Sequence, residues 1–293
     1  MIRYVDRKSK AVCSEKIYGE KALRILYGRG PISLALCFLI SYFPFVSRLY
    51  GYLMKRPSSR KKIEPFIREY GIDTTEFATH QFDSFNDFFI RKLKSNCRPI
   101  VAQGLAMPAD GRYLVYPKFN RFFVKGQEFC LKELLRDGAY GRRFEEGSMA
   151  IARLCPIDYH RFHFPCAGLA LEPRLINGHL YSVNPIALRK RIAILSENKR
   201  VITEIESDRF GTVLFIEVGA TSVGSIRQTF APKTHVEKGQ EKGYFEFGGS
   251  CIILLFEKNR IRFDADLIEN TERGLETYAR YGESLGSAEQ IGH

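Results

Sequence analysis

Four side chains in this sequence have the types that nucleophilic chemistry uses, and they fall in three short polar clusters. Asp110 sits in Pro108-Ala-Asp-Gly-Arg112, His160 and His163 in Asp158-Tyr-His-Arg-Phe-His-Phe-Pro-Cys166, and Ser250 in Gly248-Gly-Ser-Cys251. Each cluster alone has an ordinary reading. Asp-Gly is a common turn pair, a histidine in an apolar stretch is often a satisfied core residue, and Gly-Gly-Ser is a turn signal. Together they supply a carboxylate to orient an imidazole, an imidazole to take a proton, and a hydroxyl to attack.

What the hydroxyl attacks is constrained by its surroundings. A serine hydrolase sets its nucleophile in a Gly-x-Ser-x-Gly elbow between strand and helix. Here position 252 is Ile, and Cys251 to Phe256 read as strand, so that pattern fits badly. The other electrophile in reach is the carbonyl just before Ser250. Gly249 has no side chain, so its carbonyl is approachable and its peptide can be strained. Attack by the Ser250 oxygen would convert the Gly249–Ser250 amide to an ester. Elimination would then cleave the chain and leave a dehydroalanine, whose tautomerisation and hydrolysis, with loss of ammonia, give a pyruvoyl group. Zinc is the alternative for His160 and His163, bracketed by Cys155 and Cys166. Residues three apart on a strand point to opposite faces, and Pro165 interrupts a helix, so no metal is expected.

The elements that must position these residues are of two kinds. From about residue 97 short β-type runs, such as Gly111–Pro117, Arg121–Gly126, Gly211–Ala220 and Gly243–Phe256, alternate with Pro, Gly, Asn and Asp clusters. Residues 61–96 read as helical, with Ser84 as the N-cap of a segment whose Phe85, Phe88, Phe89 and Leu93 share a face. Residues 30–47 carry no charge, and basic residues flank them on both sides. The run is near the shortest length that can span a bilayer, but it holds three serines and Pro44. A helix or broken hairpin lying in the membrane interface fits better than a span or a buried hairpin. The fold class is therefore α+β: a helical membrane-associating region over 1–80, then a mostly antiparallel β catalytic domain over 81–293.

The net charge of +12 suits an anionic lipid surface or acidic substrate. No zinc finger, RNP-like aromatic signature or helix-turn-helix pattern accompanies it, so nucleic acid is not expected. Seven scattered cysteines argue for a reducing compartment rather than a disulfide framework.

Several segments in order resemble one family. They are residues 85–100 (FNDFFIRKLKSNCRPI), 108–112 (PADGR), 158–168 (DYHRFHFPCAG), 176–185 (INGHLYSVNP), 217–226 (EVGATSVGSI), 242–256 (KGYFEFGGSCIILLF) and 274–286 (GLETYARYGESLG). The chain is similar to bacterial, pyruvoyl-dependent phosphatidylserine decarboxylase proenzymes, with Gly-Gly-Ser-Cys at the cleavage motif. The resemblance implies self-cleavage between Gly249 and Ser250 into a β chain of residues 1–249 and an α chain of residues 250–293. Ser250 becomes the pyruvoyl group and Schiff-base centre, with no PLP and no metal. Asp110, His163 and Ser250 form the cleavage triad, with His163 as base, and His160 is the acid/base of decarboxylation. The implied reaction takes phosphatidylserine to phosphatidylethanolamine and CO2 at the cytoplasmic face of the cell membrane, with the protein bound peripherally. Its partners are the lipid surface and its own two chains, as monomer or homo-oligomer. Two other classes remain open: a membrane-associated serine hydrolase, which stays whole with an acylatable Ser250, and a non-catalytic lipid-binding β module.

Overall fold

The computed structural model describes residues 2–19, 44–118, 122–124, 127–188, 191–220, 226–248 and 250–289. The apolar run at 30–47 lies outside them up to residue 43, and so does Gly249. The chain opens with strands β1 (Arg3–Asp6) and β2 (Val12–Ser14), then helices α1 (Pro44–Lys55), α2 (Ile63–Tyr70) and α3 (Phe85–Phe89). Strands β3 (Leu105–Ala106), β4 (Gly111–Tyr116), β5 (Phe122–Val124) and β6 (Gln127–Phe129) follow. After two short helices come β7 (Ser148–Leu154), β8 (Arg161–His163), β9 (Gly168–Ala170) and β10 (Arg174–Ile176). Next are β11 (Arg200–Ser207), β12 (Gly211–Gly219), β13 (Ile226–Gln228), β14 (Thr234–Val236), β15 (Glu241–Phe245) and β16 (Ser250–Phe256). The chain closes with β17 (Ile261–Phe263), a helix over Ala265–Glu272, β18 (Glu276–Ala279) and β19 (Ser284–Ala288).

The protein is mostly β-sheet with few helices. Its main sheet runs β14-β9-β11-β12-β16-β7-β4-β18-β1-β2, with β10 also on β11. The sheet is mixed, because β1 pairs parallel with β18 while the central pairings are antiparallel. A small sheet, β13-β15-β8, packs on one face of it.

The middle strand shows why the sequence folds this way. Every residue of β16 is buried. Ile252, Leu254 and Phe256 enter one core, with Phe162, Phe215 and Phe245, while Cys251, Ile253 and Leu255 enter a second core on the opposite face. A strand covered on both sides needs apolar residues at every position, hence the unbroken Cys-Ile-Ile-Leu-Leu-Phe run. Ser250 begins this strand and shares the face of Ile252 and Leu254.

A third cluster is mainly aromatic. Phe66, Phe85, Phe88 and Phe89 from α2 and α3 gather with Phe247, which precedes the Gly-Gly pair. Ser84 caps α3 as the sequence indicates, its hydroxyl accepting from the Asp87 N–H at 3.1 Å. Helix α1 begins at Pro44, where a proline's missing N–H costs nothing.

Two expectations differ from what is observed. The long helical reading of 61–96 resolves into α2 and α3 with turns between, because Gly71, at φ 61°, ends α2 in a left-handed cap. Residues 3–6 and 12–14, placed by sequence in a helical region, are strands. β1 is held by β18 from the other end of the chain, and Glu15 beyond β2 is buried against Arg153 at 2.6 Å. Among the described residues no helix is long and apolar enough to cross a membrane.

Candidate active site

Ser250 is set in place by backbone pairing. β16 lies between β12 and β7, so Ser250 faces Gly219 on one side and Leu154 on the other. The residue is fully buried, and its Oγ has no hydrogen-bond partner. A buried hydroxyl without a partner is costly, and such groups concentrate where chemistry needs them. Gly219 brings no side chain to the space opposite. Gly248 has φ 146°, a conformation open to glycine and strained for other residues. The chain before it is anchored: Phe247 N–H donates to Asn86 Oδ1 at 2.9 Å, its ring packs 4.9 Å from Phe89, and Glu246 pairs with Lys55 at 2.8 Å. Residues 248–249 thus connect two fixed ends.

The two histidines arrive on the small sheet. The His160 carbonyl accepts from the Phe245 N–H at 3.0 Å, and His163 pairs with Glu241 in β15. His160 is fully buried against the Phe89 ring, 3.8 Å between centroids. Its Nδ1 lies 2.9 Å from the Asp158 carbonyl oxygen. A carbonyl only accepts, so Nδ1 carries the hydrogen, and the unpartnered Nε2 presents its lone pair. Arg91 Nη2 donates to the same carbonyl at 3.3 Å. Burial first, then the nearby Arg91 and Arg112 charges, hold the imidazole near 3 against the pull of the Asp158 bond. His160 is a neutral base at physiological pH.

His163 stacks on Tyr281 at 3.7 Å and 13°, and its Nδ1 has no partner. Burial likewise lowers it to about 3. Asp110 is buried, but its carboxylate is taken up elsewhere: Arg98 donates to it at 2.7 and 3.1 Å, and the Tyr281 N–H at 2.8 Å. The direct carboxylate–imidazole bond expected between Asp110 and His163 is not among these. Asp110 instead fixes the backbone of Tyr281, whose ring lies on His163. The structure therefore brings His163, Tyr281 and Asp110 into one chain of contacts. It places β8 over the sheet face that Ser250 shares, with no hydrogen bond from Ser250 to either ring.

Sequence reasoning missed Arg91, Asp158 and Tyr281. Arg91 and Asp158 stand inside recognised motifs, where a charge amid aromatic residues was the available signal. Tyr281 also stands in a recognised segment, 274–286, but nothing local there points to a contact with His163. Among the described residues no group of three or more His, Cys, Asp and Glu side chains could hold a metal ion.

The buried rings make an acid-stability prediction. In the unfolded chain each histidine returns to its ordinary 6.5, so between pH 6.5 and about 3 the unfolded state binds protons that the native state refuses. The stability of the neutral rings is present above pH 6.5 and is lost as pH falls through that window. Asp158, pushed up to about 6 by burial, adds the opposite slope between 3.8 and about 6, one proton against two. Thermal midpoints of the Ser250→Ala chain should fall from pH 6.5 to pH 4, and adding His160→Gln should flatten the slope. An unchanged slope would place His160 in contact with solvent.

A model of the family described as phosphatidylserine decarboxylase matches residues 85–287. Among proteins similar over their whole length, the phosphatidylserine decarboxylase proenzyme of Chlamydia muridarum is 49% identical over 294 residues, covering 97% of this chain and 96% of that one. The proenzyme of the same description from Chlamydia pneumoniae is 45% identical over 295 residues, 98% of each. That of Chlamydia caviae is 46% identical over 293 residues, 97% of each. The matched segment runs from α3 into β19 and encloses Asp110, both histidines and Ser250, so the chain belongs to the phosphatidylserine decarboxylase family.

Proposed function

We propose that Ser250 is the residue from which this chain makes its pyruvoyl group, by cleavage of the Gly249–Ser250 bond. Membership of the family gives the reaction: a carboxy-lyase, made as a proenzyme, that takes phosphatidylserine to phosphatidylethanolamine and CO2. The observation that supports Ser250 is its fully buried, unpartnered Oγ, directly after the Gly-Gly pair and opposite a residue with no side chain. A pyruvoyl group there supplies an electron sink for the pair left when CO2 departs. His163 takes the Ser250 proton during cleavage, with Asp110 acting through Tyr281. His160 serves decarboxylation.

The test is intact mass under denaturing conditions together with the chemistry of the new end. Residues 250–293, 44 of 293 in a 33.7 kDa chain, should appear as a fragment of about 5 kDa blocked to Edman degradation. A well-folded preparation that contains only the whole chain removes the prosthetic group and returns the serine-hydrolase and lipid-binding readings.

Phosphatidylserine stays in its bilayer, so we place the enzyme at the membrane surface, peripherally and on the cytoplasmic side. Leu49, Tyr52 and Leu53 of α1 are exposed, at 45%, 55% and 41%. The turn that follows, Pro57–Lys62, carries Arg60, Lys61 and Lys62. Apolar side chains beside basic ones suit an anionic interface. Arg60→Glu with Lys61→Glu should weaken flotation with phosphatidylserine vesicles by at least tenfold, since each basic residue near the surface contributes about 1 kcal/mol. Equal flotation at low and high salt would remove this turn from the contact. Association of identical subunits is compatible with this placement.

A further inference from the structure

A buried ion pair links the strand that runs into the cleavage loop to the strand beside Ser250. Lys242 sits where the pairing of β15 with β8 shifts register, between the Glu241–His163 and Gly243–Phe162 partners. The irregularity lets a lysine in a strand turn into the core. The side chain is fully buried; its Nζ donates to Glu217 Oε1 and, at 2.7 Å, to Gln228 Oε1. Gln228 Nε2 donates to the same Glu217 oxygen at 3.2 Å. The ammonium lies 4.9 Å from the Phe215 ring centroid and 5.7 Å from that of Phe162.

Glu217 belongs to β12, where it is opposite Ile252, two residues from Ser250. Residues two apart share a strand face. Glu217 and Ser250 are therefore diagonal neighbours on adjoining strands, about 7–8 Å apart for such pairs and somewhat less between Cβ atoms. The second carboxylate oxygen of Glu217 is buried without a partner, as is Ser250 Oγ. The geometry has two ends. β15 pairs with the strand of His163 and leads through residues 246–249 into Ser250. β12 holds Ser250 from the other side. The Lys242–Glu217 bond joins the two directly.

Such a pair is a poor way to gain stability. Burial pushes Lys242 down and Glu217 up, toward neutrality, against their mutual attraction. Apolar side chains of equal volume often hold a core as well or better. What the pair adds is a fixed distance, because a short directional bond between strands sets how far apart they lie.

We propose that Lys242 and Glu217 are positioning residues for chain cleavage, setting the spacing between the His163 strand and Ser250. The inference rests on reading Ser250 as the cleavage residue.

Glu217→Asp tests it, because it keeps both charges and shortens the link by one methylene. A companion, Lys242→Met with Glu217→Leu, fills the space without charge. Cleavage would be followed after cell-free synthesis, over a range of pH, for both variants and the wild-type chain. Glu217→Asp should fold and cleave about 10²-fold more slowly, the cost of an ångström-scale misplacement. Its pH profile should match wild type, since His163 still takes the proton. The double variant fills the space but lacks the bond that fixes the distance, so it too should cleave more slowly, with the wild-type pH profile. Glu217→Asp cutting at the wild-type rate overturns the inference alone. So does a folded double variant that cleaves at the wild-type rate, since the bond would then set nothing, or one that loses a limb of the pH profile, since the pair would then be moving protons. If Glu217→Asp does not fold, the double variant decides on the same terms. A wild-type chain that stays whole overturns the Ser250 reading, and this inference with it.

Discussion

Ser250→Ala should remain one 33.7 kDa chain and form no phosphatidylethanolamine. Removing Oγ removes the only atom of residue 250 that can attack the preceding carbonyl, so cleavage is abolished rather than slowed. The same substitution should leave stability unchanged or higher. The hydroxyl is fully buried with no partner, and deleting an unsatisfied polar group removes a desolvation cost instead of a bond. A thermal midpoint at or above wild type, with no fragment of about 5 kDa, would locate the loss in chemistry. Fragment formation by Ser250→Ala would move the cleavage residue elsewhere. His163→Gln should give the same whole chain by another route: the nucleophile is present, but the base that takes its proton is gone. Asp110→Asn is a poorer probe. It removes one of the two carboxylates that hold Arg98, the other being Glu76 at 2.9 Å, and disturbs a buried network that also fixes the Tyr281 backbone, so failed folding and failed cleavage would look alike.

The parts of the fold legible in the sequence are those encoded locally. The β16 run announces a strand covered on both faces, and Ser84 with Asp87 announces a helix start; both are where the residues put them. Short runs at 111–117, 211–220 and 243–256 contain β4, β12 and β16, and the last also takes in the end of β15. What could not be read depends on partners distant in sequence. β1 is a strand because β18, more than 260 residues later, offers it an edge. Asp110 reads as the orienter of a histidine, yet its carboxylate is claimed by Arg98 and the backbone of Tyr281. No spacing rule could report that, since Tyr281 is 171 residues away. The chemistry-bearing residue types were visible because few other roles need Asp-Gly, a His pair and Gly-Gly-Ser in one chain. The contacts that aim them were not.

His160→Gln should separate the two activities: the chain is cut into its two pieces, and the lyase then turns over about 10²–10⁴-fold more slowly, the usual loss for a general acid–base group. Glutamine keeps much of the imidazole's volume against Phe89, and its amide can still donate to the Asp158 carbonyl. It lacks a basic nitrogen where Nε2 stands. On the proposed assignment that nitrogen has two duties in each turnover. The headgroup amine arrives as an ammonium and must shed a proton before it can react. The alpha carbon must gain a proton after CO2 leaves. An imidazole with Nδ1 bound to the Asp158 carbonyl and the Nε2 lone pair unpartnered can take the first proton and deliver it in the second step. The loss should fall on kcat with KM little changed, because Nε2 moves a proton and is not needed to hold lipid. A His160→Gln chain that stays whole, beside a His163→Gln chain that is cut but idle, would exchange the two roles. Both variants cut and fully active would take the histidines out of the chemistry and leave Ser250 in need of another base.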